Sequence, residues 1–207
     1  MMWTTSVRFD RCRRFIRSHQ RMMLFLSLLI GGVVIGCLFF KAYGQGETAY
    51  LSRVLTLSPL SPDVKAVLSA LYHSCFFPTL LLIVLFLSGL SACGLPVVLV
   101  VPFFFGLGIG MSEAYYYSTG WRGVLTVLLL LLPPLLLKSV ALLMASSESM
   151  RMTLLFSRQL LAGPPSDDGI HPHFRLYVLR FLIFLLIIFA AGVADVLLRL
   201  LCQSWLL

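Results

Sequence analysis

The residues of this sequence that are best suited to take part in chemistry are charged side chains inside apolar stretches. Lys138 and Asp195 each interrupt such a stretch, and because a charge in hydrocarbon is costly, both are expected to face a bundle interior or water. Asp195 and Arg199 are four residues apart and can pair on one helix face. With the topology given below, Lys138 falls in the cytoplasmic half of its span and Asp195 in the outer half. The sequence therefore predicts that Lys138 extends toward the cytoplasmic surface, without a direct pair to Asp195. Glu113 is expected to meet Arg122 or Arg199.

Other combinations of reactive residues lack an essential member. Ser91 follows a glycine as in the G-x-S-x-G motif of serine hydrolases, but Cys93 stands where the next glycine belongs. The nearest histidine lies one helix length from Ser91, too far to act as its base. His171 and His173 have no third ligand at metal-binding spacing. The sequence thus predicts no catalytic, metal or cofactor site.

The composition indicates the elements that must position these charges. Of 207 residues, 59% are hydrophobic and 12% are charged, whereas a soluble domain is about half apolar and a quarter charged. An ordinary soluble enzyme and a disordered chain are therefore excluded. We predict an all-α, polytopic integral membrane bundle of about five transmembrane helices plus amphipathic surface helices. A basic cytoplasmic helix over 1–21 precedes a single transmembrane domain over 22–207, with spans at about 22–40, 75–90, 97–111, 124–144 and 176–201.

The distribution of basic residues predicts the orientation. Ten arginines fall in the segments and span ends assigned to the cytoplasm, six of them before the first span, and five basic residues fall in the segments and span ends assigned to the outside. This bias favours a cytoplasmic N-terminus and an extracytoplasmic C-terminus. The N-terminal arginines are interpreted first as an orientation signal and alternatively as a site for anionic membrane lipid. No recognition motif accompanies them, so nucleic-acid binding is not predicted.

Two stretches between the spans have an apolar stripe at helical spacing. The first follows Ser61-Pro62, a helix-start pattern, and is predicted to lie on the outer surface. The second stretch, over 146–175, has a stripe of Met152, Leu155, Phe156 and Leu160 and is predicted to lie on the inner surface. The residues of the first stripe, which we also predict to contact a partner, are Val64, Val67, Leu68, Leu71 and Tyr72.

Small residues four apart recur in three spans and predict close helix packing. They are Gly32 and Gly36, Gly106 and Gly110, and Ala190 and Ala194. A phosphate-binding loop at the second pair is excluded, because the glycines lie inside an apolar span with no strand before it. The same faces are also suited to pairing two copies of the chain in a homodimer.

The order of the short glycine and proline motifs resembles the stage II sporulation protein M family. The motifs are Gly94-x-Pro96 at a tight turn, Phe105-Gly106-x-x-x-Gly110 in the third span, Gly120-Trp121-x-Gly123 opening the fourth, Pro133 within it, and an acidic residue, Asp195, in the last. The resemblance covers nearly the whole chain. Members of the family carry Pro-Gln-Asn in the fourth span, where this chain has Pro133-Pro134-Leu135.

The resemblance implies a five-span protein of the bacterial inner membrane that acts in forespore engulfment. It implies a non-enzymatic scaffold that localises two peptidoglycan-degrading partners, stage II sporulation proteins P and D. It also implies that the motif glycines and prolines, together with Trp121, serve helix packing. The rival function is a transporter or permease-like subunit that uses buried Lys138 and Asp195. A membrane-shaping role for the basic N-terminus is a third alternative.

Overall fold

A computed structural model describes residues 3–43, 64–91, 93–162 and 171–206, and these form helices and turns without a strand. Five helices of the described part are long and apolar enough to cross a membrane, which confirms the predicted all-α bundle and a multi-pass membrane protein. The elements are α1 (Trp3–Tyr43), α2 (Val64–Gly89), α3 (Leu95–Ser118), α4 (Trp121–Thr126), a π-helical segment (Val127–Leu131), α5 (Leu132–Ala162) and α6 (His171–Leu206). The fourth span runs without interruption from α4 through the π-helical segment into α5.

Successive spans alternate in direction across the bundle. On α1 and α3, Gly32 lies opposite Phe103 and Gly36 opposite Leu107, so these two helices run parallel. The tightly packed centre, represented by Phe25, Leu85, Val98, Leu142 and Ile188, includes residues of α1, α2, α3, α5 and α6. We call the end that holds Tyr115–Tyr117 and Trp121 the aromatic end. The opposite end, which holds the α2–α3 turn, is called the connector end.

The predicted surface helices are wrong, since both stretches continue a spanning helix. Residues 64–72 form the first turns of α2, which begins eleven residues before the predicted second span. Residues 146–160 belong to α5, where Ser149 and Thr153 are fully buried and Met152 is 5% exposed. Met152 of the predicted stripe is buried against neighbouring helices, whereas Leu155 stays exposed. The buried hydroxyls of Ser149 and Thr153 donate to backbone carbonyls of α2.

Pro133 and Pro134 lie inside the fourth span, where an interior proline is expected to break a helix, but the helix continues through them. The helix widens to π geometry over Val127–Leu131, directly before them. A proline ring clashes with the carbonyl four residues earlier, which for these two prolines belongs to Leu129 and Leu130. A π turn displaces those carbonyls and lets the helix continue. Pro133 itself is exposed, and Pro134 is buried.

The α3–α4 turn is shorter than residues 112–123, which separate the predicted third and fourth spans. Because α3 continues to Ser118, the three tyrosines are helical, and Thr119 and Gly120 alone make the turn. Gly120 has a φ of 90°, which L side chains rarely adopt. A Cβ at Gly123 would lie within 3.0 Å of the Tyr116 carbonyl oxygen. Both glycines therefore close the turn, while Trp121, which the resemblance assigned to packing, is 75% exposed.

The α2–α3 turn at the connector end also requires a glycine. Gly94 N donates to Ser91 O at 3.2 Å, and Pro96 lies in the first turn of α3. A Cβ at Gly94 would lie within 3.0 Å of the Ser88 carbonyl oxygen. The motif Gly94-x-Pro96 thus reverses the chain, with a glycine at the position where the backbone comes closest to Ser88.

Candidate functional site

Lys138 and Asp195 lie together near the aromatic half of the bundle, joined by a serine from a third helix. Lys138 Nζ donates to Ser74 Oγ at 2.6 Å, and Ser74 Oγ donates to Asp195 Oδ2 at 2.5 Å. The Lys138 ammonium and the Asp195 carboxylate are 3.9 Å apart. Their residues are 7% and 4% exposed. One polar link therefore ties α5, α2 and α6 inside the bundle.

Arg199 completes this network from the same helix as Asp195. Its Nε donates to Asp195 Oδ1 at 3.1 Å, and its Nη2 donates to Oδ2 at 2.9 Å. The local pair that the four-residue spacing predicts is present, and it has the two-pronged geometry that an arginine forms with a carboxylate. We call Lys138, Ser74, Asp195 and Arg199 the charged network.

The predictions that Lys138 extends to the surface and that it does not meet Asp195 are wrong. Lys138 lies 24 residues before the end of α5 at Ala162, and Asp195 lies 24 residues after the start of α6 at His171. In two adjacent antiparallel helices this places both at one depth. The sequence ended the fourth span at Met144, but the helix continues 18 residues further, which moves Lys138 toward the aromatic end.

Glu113 does not join the charged network. Among the described side chains it makes no salt bridge with Arg122 or Arg199. Arg199 is engaged by Asp195 instead, and Arg122 is exposed. The predicted ionic contact of Glu113 at the surface is therefore wrong.

The charged network lines a cavity of about 470 Å³ between α2, α3, the π-helical segment, α5 and α6. The remaining wall is mostly apolar, with Phe77, Phe105, Ile109, Tyr116, Leu131 and Leu135. Gly108 also lines it, and a Cβ there would meet no atom within 4 Å. The described residues thus line a partly open space in which charged side chains stand beside aromatic and aliphatic groups.

A second polar cluster, at the connector end, was not predicted from the sequence. The hydroxyls of Ser149 and Tyr177 donate to the carbonyls of Leu85 and Phe86 at 2.6 and 3.0 Å. Thr153 Oγ1 donates to Ser88 O at 3.2 Å. Phe86 and Ser88 are among the last four residues of α2, whose carbonyls have no partner four residues on within the helix. Leu85 O also accepts from Ser88 Oγ of its own helix at 3.0 Å, so α5 and α6 add hydroxyl donors at the end of α2. The three serines among residues 146–149 are a signal for this contact, but the prediction of a surface helix there missed it.

Removing these hydroxyls should loosen the end of α2. We expect Tyr177→Phe and Ser149→Ala each to lower stability by about 1 kcal/mol, since a buried carbonyl loses a hydrogen bond. The measurement is the thermal unfolding midpoint of the purified protein in detergent. Ser139→Ala is the matched control, because Ser139 bonds only within its own helix, to Leu136 O. Equal losses in Ser149→Ala and Ser139→Ala would show that the contact between helices adds nothing.

The glycine pairs of α1 and α3 lie against each other. A Cβ at any of the four would come within 3.0 Å of a carbonyl oxygen of the facing helix: Phe103 for Gly32, Leu107 for Gly36, Leu29 for Gly106 and Val33 for Gly110. Cys37 Sγ also donates to Gly110 O at 3.3 Å. These faces are covered within one chain, so they offer no surface for a homodimer. On α6, Ala190 is exposed, and Ala191 and Gly192 are the buried small residues instead.

The predicted partner stripe at the start of α2 divides into two faces. Val64, Leu68 and Tyr72 are 78%, 66% and 61% exposed. Val67 and Leu71 are half-buried, and a Leu71 methyl group lies against the Gly192 position of α6. We call the exposed face, Val64, Leu68 and Tyr72, the α2 stripe. Only these three of the five predicted residues are free to meet a partner.

Comparison of the chain with known protein families, with curated proteins and with solved structures finds no match.

Proposed function

We propose that this protein is a non-enzymatic membrane scaffold that recruits a partner through the α2 stripe. The supporting observation is the exposure of three large apolar side chains at the start of α2. With 26 residues, α2 is about 39 Å long, longer than the roughly 30 Å hydrocarbon core of a bilayer. Lys65 in the first turn favours water, so we place this end of α2 outside the hydrocarbon. An apolar face there is not covered by lipid tails and is suited to a protein contact.

The class of partner follows from the orientation and the resemblance. With the N-terminus in the cytoplasm, as the arginine bias favours, the aromatic end faces outward from a bacterial inner membrane. The C-terminus then lies on the outside as well. Among the partners that this side of the membrane allows, the resemblance to the stage II sporulation protein M family favours enzymes that act on the cell wall. We propose peptidoglycan hydrolases similar to stage II sporulation proteins P and D as the recruited enzymes.

The test is Val64→Asp with Leu68→Asp in a tagged chain, purified from detergent-solubilised membranes of sporulating cells. Two acidic groups on the α2 stripe should prevent an apolar contact. We expect hydrolase recovery, read by mass spectrometry, to fall on the order of tenfold, the effect of losing about 1.4 kcal/mol of binding. Lys65→Asp is the control, because it adds an acid to the same turn off the stripe. Unchanged recovery in the double variant, or an equal loss in the control, would overturn the proposal.

A transporter is the second candidate, and the charged network beside a cavity is the observation that favours it. Charged residues inside a membrane bundle often mark a substrate or proton path. Neutralising Lys138 and Asp195 together should abolish transport, whereas a scaffold should lose only stability and keep its partner. Recovery of an ATPase or a soluble binding protein, without a hydrolase, would favour the transporter.

A further inference from the structure

We propose that the cavity beside the charged network binds an amphiphile that joins one anionic group, a phosphate or a carboxylate, to an apolar chain. The volume of about 470 Å³ lies within the range of about 300–1,000 Å³ that is usual for small-molecule sites. The inference concerns this cavity alone. It does not rest on partner recruitment by the α2 stripe.

The charge balance of the cavity wall favours an anion. Three charged side chains line it, the cations Lys138 and Arg199 and the anion Asp195. Among the described residues no further acid faces the cavity, so the wall carries one uncompensated positive charge. A charge removed from water is costly without a counter-ion. One anionic group in the cavity supplies it.

Both cations keep hydrogen-bond donors for such a group. The Lys138 ammonium has three N–H bonds and gives one to Ser74, while Asp195 at 3.9 Å is beyond hydrogen-bond distance. Arg199 has five N–H bonds, of which two go to Asp195. The oxygens of a phosphate or a carboxylate accept such charge-assisted hydrogen bonds, which are about twice as strong as neutral ones.

The rest of the wall favours an apolar chain attached to that anion. Phe77, Phe105, Ile109, Leu131 and Leu135 surround the space. A small inorganic anion would neutralise the charge but would contact little of this surface. An acyl or prenyl chain would bury it, and removing apolar surface from water favours binding.

The experiment measures the unfolding midpoint of the full chain in dodecyl maltoside with added dodecyl phosphate. At about ten times the dissociation constant, we expect the midpoint to rise by about 3–6 °C. Inorganic phosphate at the same concentration is the second arm, and it should raise the midpoint by less than a third as much. An equal rise with inorganic phosphate would show a site for a free anion and overturn the amphiphile. No rise with dodecyl phosphate would overturn the proposal as a whole.

Two variants assign the effect to the cavity. Gly108→Leu fills the space without touching a charge, and it should fold because a Cβ there meets no atom within 4 Å. Arg199→Gln removes the uncompensated charge. Each should lose at least two thirds of the rise with dodecyl phosphate. Arg122→Gln is the charge-matched control, because Arg122 is exposed and does not line the cavity. If dodecyl phosphate raised the unfolding midpoint of Arg199→Gln as much as that of the parent chain, the rise would come from the micelle and the proposed site would be disproved. This outcome is decisive even if Gly108→Leu fails to fold.

Discussion

Gly110→Ala should destabilise the bundle by about 3 kcal/mol, which lowers the unfolding midpoint by roughly 6–12 °C in a protein of this size. The added methyl group would lie within 3.0 Å of the Val33 carbonyl oxygen on α1. The obstructing atom belongs to the backbone, so no side-chain rotation relieves the clash and the two helices must separate. Their separation also removes the dispersion contacts that drive helix association in lipid. Thermal unfolding in detergent, followed by size-exclusion chromatography, measures the loss.

Neighbouring glycines provide matched controls on the same two helices. Gly108→Ala, two residues before Gly110 on α3, adds the same methyl group where no atom lies within 4 Å. Gly31→Ala does the same on α1, and Gly32→Ala is its obstructed counterpart. Both control variants should stay within about 1 kcal/mol of the parent chain, since alanine is also the better helix former. If Gly108→Ala cost as much as Gly110→Ala, the close approach of α1 and α3 would be disproved.

Asp195→Leu should cost about 3–5 kcal/mol, the usual effect of removing one partner of a buried ion pair. Asp195 bonds Arg199 and, through Ser74, Lys138. Without it, two cations remain at the cavity with no acid among the described residues that line it. Lys138→Met should cost less, because Asp195 keeps Arg199 as a partner. The yield of monodisperse protein from membranes and its unfolding midpoint measure both variants.

The double variant Asp195→Leu with Lys138→Met tests the coupling between the two. It leaves only Arg199, whose side chain is 22% exposed and can reach water. We expect the double variant to be more stable than Asp195→Leu alone, a non-additivity typical of residues in one network. If the two losses of stability were strictly additive, Lys138 and Asp195 would not interact. If the two single variants lost the same stability, Asp195 would not be the partner on which both cations depend.

The number and identity of the spanning helices could be predicted from the sequence, because long, predominantly apolar runs are stable as helices across a bilayer. The same holds for the glycines at 32, 36, 106 and 110, since closely spaced small residues on one face favour close packing. The pair of Asp195 and Arg199 follows from helix geometry. These features depend on residues near one another in the chain.

The tertiary structure decided the helix ends, and with them the depth of each charge. Hydropathy ends a span where polar residues begin, but Ser149 and Thr153 are polar residues that hydrogen-bond to α2 inside the bundle. The fourth span therefore continues to Ala162, and Lys138 meets Asp195. Ser74, which links them, is an ordinary serine in the sequence. Its role arises because three helices meet at one depth, and no local sequence pattern predicts that contact.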